Sequence, residues 1–217
     1  MIDIAIFGAG GFGREVACLI NTINECIELK DQQWKLIGFF DDGKEKGFPT
    51  EYGKVLGGVA ELNAWQTPLD VVIAIGSPHA IKAVSEKIIN PNIHFPNIIH
   101  PNFRMADAET LTIGHGNIIQ GGCFASCNVS IGDFNVFNGA ISMGHDDNIG
   151  NYNVFMPAIR VSGEVKIGDC NFFGVGSIIL QQLKIGNRIR LGAGSVLMTK
   201  PKDGNLYLGV PAKIFKA

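Results

Sequence analysis

The chain has 217 residues, of which 46% are hydrophobic and 18% are charged, and its formal net charge is −2. This length and composition allow one large domain or two small domains with a sizeable core. The sequence has no positively charged start followed by an apolar run, and no stretch of about 18 apolar residues. We therefore expect a soluble, cytoplasmic protein that does not enter a membrane.

Charge is unevenly distributed along the chain. Residues 1–155 contain nine Lys and Arg against seventeen Asp and Glu, whereas residues 156–217 contain nine against three. A basic C-terminal part favours a polyanionic ligand, although the same charges also suit a solvated exterior. Nucleic acid is not expected, because the basic residues lack interleaved aromatic residues. The five cysteines are odd in number and scattered, which argues against a disulfide framework and against a zinc site.

The chain begins with a strand that leads directly into a glycine-rich turn. Residues 2–7 are apolar enough for a buried parallel strand, and residues 8–13 read Gly-Ala-Gly-Gly-Phe-Gly. An amphipathic helix is predicted to open at Arg14. Glycines in this context let backbone amides and a helix N-terminus approach a diphosphate, so Gly8, Gly10 and Gly13 are candidate ligand-binding residues. A glycine turn needed only for packing is the alternative.

Two further strands and a second helix are predicted before residue 97. The strand over residues 36–40 ends in Asp41 and Asp42, and the strand over residues 70–75 ends in Gly76. A helix follows over about residues 79–89. Strands that alternate with helices predict a small, doubly wound Rossmann-like sheet, and ligands bind such sheets beyond the carboxyl ends of the strands. We therefore predict an α/β nucleotide-binding domain over residues 1–97.

The rest of the chain, residues 98–217, is dominated by a repeat of 18 residues. Asparagine keeps the same period, and so do two apolar columns, which begin at Ile119 and Ala125. Three steps of six residues per coil predict a three-sided prism of short parallel strands, with one inward apolar residue near each corner. The period is carried by five Ile-Gly pairs, at Ile113, Ile131, Ile149, Ile167 and Ile185.

These hexads resemble the hexapeptide-repeat family, whose fold is an all-β left-handed parallel β-helix. With the glycine turn, the Ile99-His100-Pro101 sequence and the Gly209-Val210-Pro211-Ala212-Lys213 ending, the whole chain resembles the sialic acid O-acetyltransferases and bacillosamine-pathway acetyltransferases. That resemblance implies acetyl-CoA as co-substrate, no metal, and a homotrimer. It also implies that the N-terminal domain holds the nucleotide part of a UDP-sugar, with the pocket lined by Gly8, Gly10, Gly13, Asp41, Asp42 and Gly76.

The repeat is broken at residues 144–147, which read Gly-His-Asp-Asp. His145 stands in a column otherwise filled by Cys127, Gly163, Gln181 and Thr199, and Asp147 interrupts a column of Val129, Val165 and Leu183. Functional residues are expected where a repeat departs from its own consensus. Histidine can take a proton from an attacking amine or hydroxyl at neutral pH, and a neighbouring carboxylate fixes its tautomer.

The resemblance assigns the remaining site residues. His145 and Asp146 match the catalytic dyad of the resembled acetyltransferases, and Asn138 matches a pocket asparagine. Some relatives have a second histidine where this chain has Val154. Coenzyme A is expected along the later coils, where small side chains leave room for its pantetheine arm. The candidate cofactor-binding residues are Gly163, Gly174, Val175, Ala193 and Gly194.

The favoured function is transfer of an acetyl group from acetyl-CoA to an amino group of a nucleotide-linked sugar. Three alternatives are a sialic-acid-type O-acetyltransferase, a non-catalytic nucleotide-sugar-binding scaffold and a carbonic anhydrase. The last would need three zinc-binding histidines, whereas only His115 and His145 lie in the repeats. Ser142 is the only nearby hydroxyl and has no nucleophile-elbow context, so direct transfer is expected.

Overall fold

The computed structural model describes residues 1–28 and 33–216. The chain divides into two compact units, Met1–Pro101 and Asn102–Ala217. Among the helices of the described residues, none combines the length and the apolar character needed to cross a membrane.

The N-terminal unit contains a six-stranded sheet with the order β3-β4-β2-β1-β5-β6. All neighbouring strands are parallel except β3 and β4. The three helices contact the sheet: α1 contacts β1 and β2, α2 contacts β4, and α3 contacts β5. The elements are β1 (Ile2–Phe7), α1 (Gly11–Glu25), β2 (Trp34–Phe40), β3 (Pro49–Thr50), β4 (Gly53–Gly57), α2 (Val59–Asn63), β5 (Leu69–Ile73), α3 (Pro78–Lys87), β6 (Ile93–His94) and β7 (Ile98–Ile99).

The predicted α/β architecture of this unit is confirmed, with shifts at the element ends. α1 begins three residues before the predicted Arg14, because the glycines at its start already adopt helical geometry behind the N-cap Gly10. β5 ends at Ile73 rather than at residue 75. The last hydrogen bond between β5 and β1 runs from the Ala74 amide to the Phe7 carbonyl, and the chain turns after it.

The C-terminal unit is the predicted left-handed parallel β-helix, built from strands of two residues except for β24, which has three. One side of the prism has the order β25-β24-β22-β19-β16-β13-β10, the second β23-β20-β17-β14-β11-β8 and the third β21-β18-β15-β12-β9. The strands are β8 (Arg104–Met105), β9 (Thr112–Ile113), β10 (Ile118–Ile119), β11 (Phe124–Ala125), β12 (Ser130–Ile131), β13 (Val136–Phe137), β14 (Ser142–Met143), β15 (Asn148–Ile149), β16 (Val154–Phe155), β17 (Arg160–Val161), β18 (Lys166–Ile167), β19 (Phe172–Phe173), β20 (Ile178–Ile179), β21 (Lys184–Ile185), β22 (Arg190–Leu191), β23 (Val196–Leu197), β24 (Leu206–Leu208) and β25 (Lys213–Ile214).

The interior of the prism is formed by the predicted apolar columns. Phe137, Phe155 and Phe173 are fully buried and stack with ring centroids 4.8 and 4.7 Å apart. Residues exactly one period apart pair in register, as Phe137 does with Phe155. A ladder of this kind places every equivalent side chain directly above its predecessor, so an exception in sequence becomes an exception at a defined place on the surface.

Each coil turns at three corners, and most corners carry a residue with a left-handed backbone. At the His145 corner these residues are Asn128, Asp146, Glu164 and Gln182. At the His115 corner they are Gly116, Phe134, Tyr152, Cys170 and Arg188, and at the Gly174 corner they are Gly122, Ala140, Ala158, Gly176 and Gly194. The left-handed residues are Asn, Asp, Glu and Gln at the His145 corner, but only Gly and Ala at the Gly174 corner.

The His115 corner is held by two ladders of Asn and Asp side chains. Asn153, which is fully buried, accepts the amide of Asn171 and donates its own amide group to the Gly168 carbonyl. Two positions earlier in each coil, Asp169 accepts the main-chain amide of Asn151, and the main-chain amide of Asp169 donates to the side chain of Asn187. At this corner, side-chain oxygens that accept main-chain amides 18 residues away thus add to the main-chain bonds that connect the coils.

Candidate active site

The glycine turn of the N-terminal unit connects β1 to α1. Gly8 has φ +115°, and a Cβ on it would lie 2.6 Å from the Ala74 carbonyl oxygen, whereas a Cβ on Gly13 would collide with the Gly8 carbonyl. Gly10 and Gly76 face open space. Gly8 and Gly13 are therefore needed for close packing, while Gly10 and Gly76 leave an unobstructed surface at the carboxyl ends of β1 and β5.

The two predicted aspartates of this turn hold main-chain amides. Asp41 accepts the Ala9 amide at 2.8 Å and the Gly43 amide at 2.9 Å, which ties the glycine turn to the end of β2. Asp42 accepts the Val59 amide at 2.8 Å, at the start of α2. Both carboxylates thus hold the loops around the glycine turn, a structural role in addition to the ligand contact predicted for them.

His145 and Asp146 form a hydrogen-bonded pair at the His145 corner. Nδ1 of His145 lies 2.7 Å from Oδ2 of Asp146, and both side chains are about half exposed. Asn128, one coil earlier, donates to the other oxygen of Asp146 at 3.0 Å. Since a carboxylate only accepts, Nδ1 carries the proton and Nε2 is the basic nitrogen. The asparagine was missed from sequence, although it precedes Asp146 by one period.

The pair shifts both pKa values in the direction expected for an ion pair. The hydrogen bond to Asp146 is the main cause that raises the pKa of His145 above 6.5, and the negative charges of Asp146, Glu164 and Asp147 act in the same direction. The hydrogen bond to His145 is the main cause that lowers the pKa of Asp146. Asp146 is therefore ionised at neutral pH, which strengthens the basicity of the imidazole.

The imidazole of His145 lies across Gly163, the residue one period later in its own column. A Cβ on Gly163 would lie 2.5 Å from Nε2 of His145. Any other side chain in this place would displace the ring. Gly163 thus belongs with His145, whereas its predicted partners Gly174, Val175, Ala193 and Gly194 lie at the Gly174 corner.

Asp147 is buried beside this pair, with only 1% of its surface exposed. Its two oxygens accept the Gly144 amide at 2.8 Å and the Val165 amide at 2.9 Å. Burial raises the pKa of Asp147 to about 7, against the opposing effect of both hydrogen bonds. Because this pKa lies above that of an unfolded aspartate, the folded state loses stability as pH rises from about 4 to 7.

A groove of about 250 Å³ follows the Gly174 corner. Val175, which is 48% exposed, and Ala193 line it. Gly174 is buried, and a Cβ on it would lie 2.5 Å from the Ala193 amide nitrogen, so this glycine permits the close approach of two coils. Gly194 faces open space. The remaining lining residues are Met156, Phe172, Gly174, Arg190, Leu191, Gly192 and Leu206.

Asn138 and Val154 complete the predicted positions. Asn138 stands in the column of Gly174, two coils earlier. The main-chain amide of Asn138 donates to the Phe155 carbonyl at 2.9 Å. Val154, where some relatives have a second histidine, is buried.

A second groove, of about 360 Å³, begins at Asp146. Glu164 and Gln182 continue it along the same corner, and Lys166 and Lys184 line it from neighbouring strands, where they pair in register. Among the described residues there is no group of three or more His, Cys, Asp or Glu side chains that could hold a metal ion. The groove thus places two lysine side chains near the His145–Asp146 pair.

A prediction follows from the His145–Asp146 hydrogen bond. If His145 is the base predicted from sequence, Asp146→Asn should lower the pKa of His145 toward 6.5 and move the acid limb of kcat/KM to lower pH, because the neutral imidazole would be the active form. The plateau should fall by about tenfold or more as the imidazolium loses its carboxylate. The pH profile of acetyl transfer checks both effects, and an acid limb at the wild-type position would contradict them.

Comparison with known proteins agrees with this fold. Residues 3–88 match the family model described as the PglD N-terminal domain. A search of curated protein sequences finds no match. The acetyltransferase domain of PglB from Neisseria gonorrhoeae, solved with acetyl coenzyme A, is 25% identical, with a TM-score of 0.85 and 98% of each chain covered.

Two further solved structures share the fold over nearly the whole chain. WeeI from Acinetobacter baumannii is 25% identical, covers 99% of this chain and 100% of its own, and has a TM-score of 0.86. PerB from Caulobacter crescentus, in complex with CoA and GDP-perosamine, is 24% identical, covers 99% and 97%, and has a TM-score of 0.87, a likeness of fold. Residues 3–88 thus resemble the PglD N-terminal domain, and the whole chain shares the fold of the PglB acetyltransferase domain, in agreement with the resemblance predicted from sequence.

Proposed function

We propose that this protein transfers the acetyl group of acetyl-CoA to an amino group of a nucleotide-linked amino sugar, with UDP as the expected nucleotide. The observation that carries the proposal is the 2.7 Å contact between His145 and Asp146 at the place where the repeat is broken. The likeness to the PglB acetyltransferase domain, which was solved with acetyl coenzyme A, supports the choice of acyl donor.

In this mechanism His145 acts as a general base. Asp146 holds Nδ1–H, and Nε2 accepts a proton from the sugar amine as the nitrogen attacks the thioester carbonyl carbon. The carbon–sulfur bond then breaks, the amide forms, and the leaving thiolate takes up a proton. General-base catalysis of this kind contributes about 10²–10⁴-fold to the rate.

The proposed coenzyme A site uses the groove at the Gly174 corner and the groove that begins at Asp146. The small residues of the Gly174 corner leave room for a narrow arm, and Val175 and Ala193 line its path. Arg190 in that groove, and Lys166 and Lys184 in the groove that begins at Asp146, offer positive charge to the phosphates of the cofactor.

A homotrimer is proposed for the active enzyme. His145 and the groove at Val175 lie at different corners of one prism, so one chain does not surround a thioester at His145 with both sets of residues. A second copy that brings its Gly174 corner to the His145 corner would complete the site. Sedimentation equilibrium should give three protomer masses, and a monomer that retains full activity would exclude this arrangement.

The N-terminal unit is proposed to bind the nucleotide. Gly10 and Gly76 leave open space at the ends of two parallel strands, and the Gly10 end of α1 presents amides toward it. Helix N-termini of this kind suit a diphosphate. PerB was solved with GDP-perosamine, so GDP-linked sugars are the informative comparison with UDP-linked ones.

Release of free CoA thiol tests the proposed activity. The protein is incubated with acetyl-CoA and a panel of UDP-, dTDP- and GDP-linked 4-amino sugars, with sialic acid as a hydroxyl acceptor. Thiol release that depends on one amino sugar is the expected result. Release with sialic acid alone would identify an O-acetyltransferase, and tight nucleotide-sugar binding without release would identify a scaffold.

A further inference from the structure

The main-chain ladder at the His145 corner has a regular pattern from which one coil departs. In the regular coils the residue that follows the strand donates its amide to the next coil: Ser126 to the Met143 carbonyl at 3.1 Å and Ser162 to the Ile179 carbonyl at 3.0 Å. Leu180 does the same to Leu197. Gly144 occupies this place in the coil of His145.

Gly144 donates its amide to Asp147 instead, at 2.8 Å from Oδ2. The strand pairing shortens at the same point: β14 and β17 pair only through Ser142 and Arg160, whereas β11 and β14 pair through two residues each. The ladder is therefore interrupted at the residue that precedes His145, and the interruption coincides with the one carboxylate in a column that holds Val129 and Val165.

The other oxygen of Asp147 makes a connection between coils that the valines of its own column cannot make. Oδ1 accepts the Val165 amide at 2.9 Å, as Asn153 accepts the Asn171 amide at the His115 corner. An asparagine at residue 147 could preserve this bond, but its NH₂ group would face the Gly144 amide, donor against donor. The contact with Gly144 thus specifically requires a carboxylate.

The two glycines beside His145 fit this altered turn. A Cβ on Gly144 would lie 2.5 Å from the Gly163 amide nitrogen, and a Cβ on Gly163 would lie 2.5 Å from Nε2 of His145. The turn therefore approaches the next coil closely, and the imidazole lies in the space that Gly163 leaves. The charged groups that act on Asp147 are His145 and Asp146, both on its own turn. Glu164, on the next coil, acts on His145.

We propose that Asp147 is a positioning residue of the active site: it takes the Gly144 amide out of the main-chain ladder and so fixes the turn that carries His145. The proposal rests on His145 being the base of the proposed reaction. Asp147 itself is buried and acts through the main chain of Gly144. Its role differs from that of Asp146, which contacts the imidazole directly.

The experiment compares Asp147→Asn with Asp169→Asn. The control, Asp169→Asn, carries the same chemical change in a ladder where the side-chain oxygens of Asn151 and Asn187 already accept main-chain amides. It should therefore keep the wild-type kcat and melting temperature. Asp147→Asn should lower kcat about 10- to 100-fold, with KM for both substrates within about twofold, because misplacing a catalytic group by about 1 Å costs that much. A wild-type kcat for Asp147→Asn would overturn the proposal.

Two further measurements separate this inference from the proposed function. In ¹⁵N-labelled protein the Gly144 amide should exchange its proton at least about tenfold faster in Asp147→Asn than in wild type, and not in Asp169→Asn. Equal exchange in both variants would overturn the inference whether or not the protein transfers acetyl groups. Asp147→Val, which restores the residue of the neighbouring coils, should keep the fold by circular dichroism and show the same fall in kcat. A folded Val variant with full kcat would also overturn it.

Discussion

Replacing His145 with glutamine is expected to lower kcat/KM for acetyl transfer about 10²–10⁴-fold, the range that general-base catalysis supplies. Glutamine retains polarity and size, so the corner should keep its shape, but no basic nitrogen remains to take the proton of the attacking amine. Asp146 would keep its contact with Asn128, which already holds one of its oxygens at 3.0 Å. The expected result is therefore a loss of rate without a loss of melting temperature.

The structure offers a matched control for this variant. His115 also lies at a corner of the prism and also pairs with an aspartate, with Nδ1 2.9 Å from Oδ1 of Asp133. That oxygen belongs to the coil-to-coil ladder, because it also accepts the His115 amide at 2.9 Å. His115→Gln should therefore retain wild-type kcat. A larger loss for His115→Gln than for His145→Gln would show that the wrong histidine has been assigned.

Gly163→Ala is expected to lower kcat about 10- to 100-fold while leaving the fold intact. The added Cβ would lie 2.5 Å from Nε2 of His145, and the atom that must move is the end of a flexible side chain. The ring can turn away at little cost in stability, but its basic nitrogen then leaves the position from which it serves the reaction, and displacements of about 1 Å cost about 10²-fold.

Kinetics and thermal melting together test this expectation. The melting temperature of Gly163→Ala should stay near that of wild type, and Ser162→Ala, which keeps the glycine beside the ring, should be fully active. If Gly163 instead lined only the cofactor path, the substitution would raise KM for acetyl-CoA and leave kcat unchanged. That split would contradict the assignment of Gly163 to the histidine.

The β-helix could be predicted closely because its repeat is strict. Ile-Gly pairs exactly 18 residues apart fix which residues stack, and the predicted columns are the buried ones, as Phe137, Phe155 and Phe173 show. The elements of the N-terminal unit were harder to predict from sequence. β3 and β4 enclose a short turn in a stretch with several glycines, and α2 has only five residues, so neither presents an apolar pattern long enough to detect.

Some residues of the candidate site were likewise predictable from sequence, and others were not. His145 and Asp146 were predictable as an exception to the repeat, and their mutual contact follows from adjacency at a left-handed turn, where Asp146 has φ +60°. The contacts of Asp147 and Gly163 were not predictable from sequence. The first depends on the Gly144 amide leaving the main-chain ladder, and the second depends on the position of the His145 imidazole. Small residues such as Gly163 and Gly174 have the same appearance in sequence whether they admit a ligand, a neighbouring coil or a side chain.

The proposed function requires that the coil with His145 and Asp146 catalyses acetyl transfer to a sugar nitrogen. The most direct test is the mass and bonding of the product formed from acetyl-CoA and the 4-amino nucleotide sugar that best releases thiol, with wild type and His145→Gln compared. The predicted product has gained one acetyl group, linked to the sugar nitrogen as an amide, and forms at least about 100-fold more slowly with the variant. An unmodified sugar, an ester on a hydroxyl, or equal rates for both proteins would contradict the proposed function.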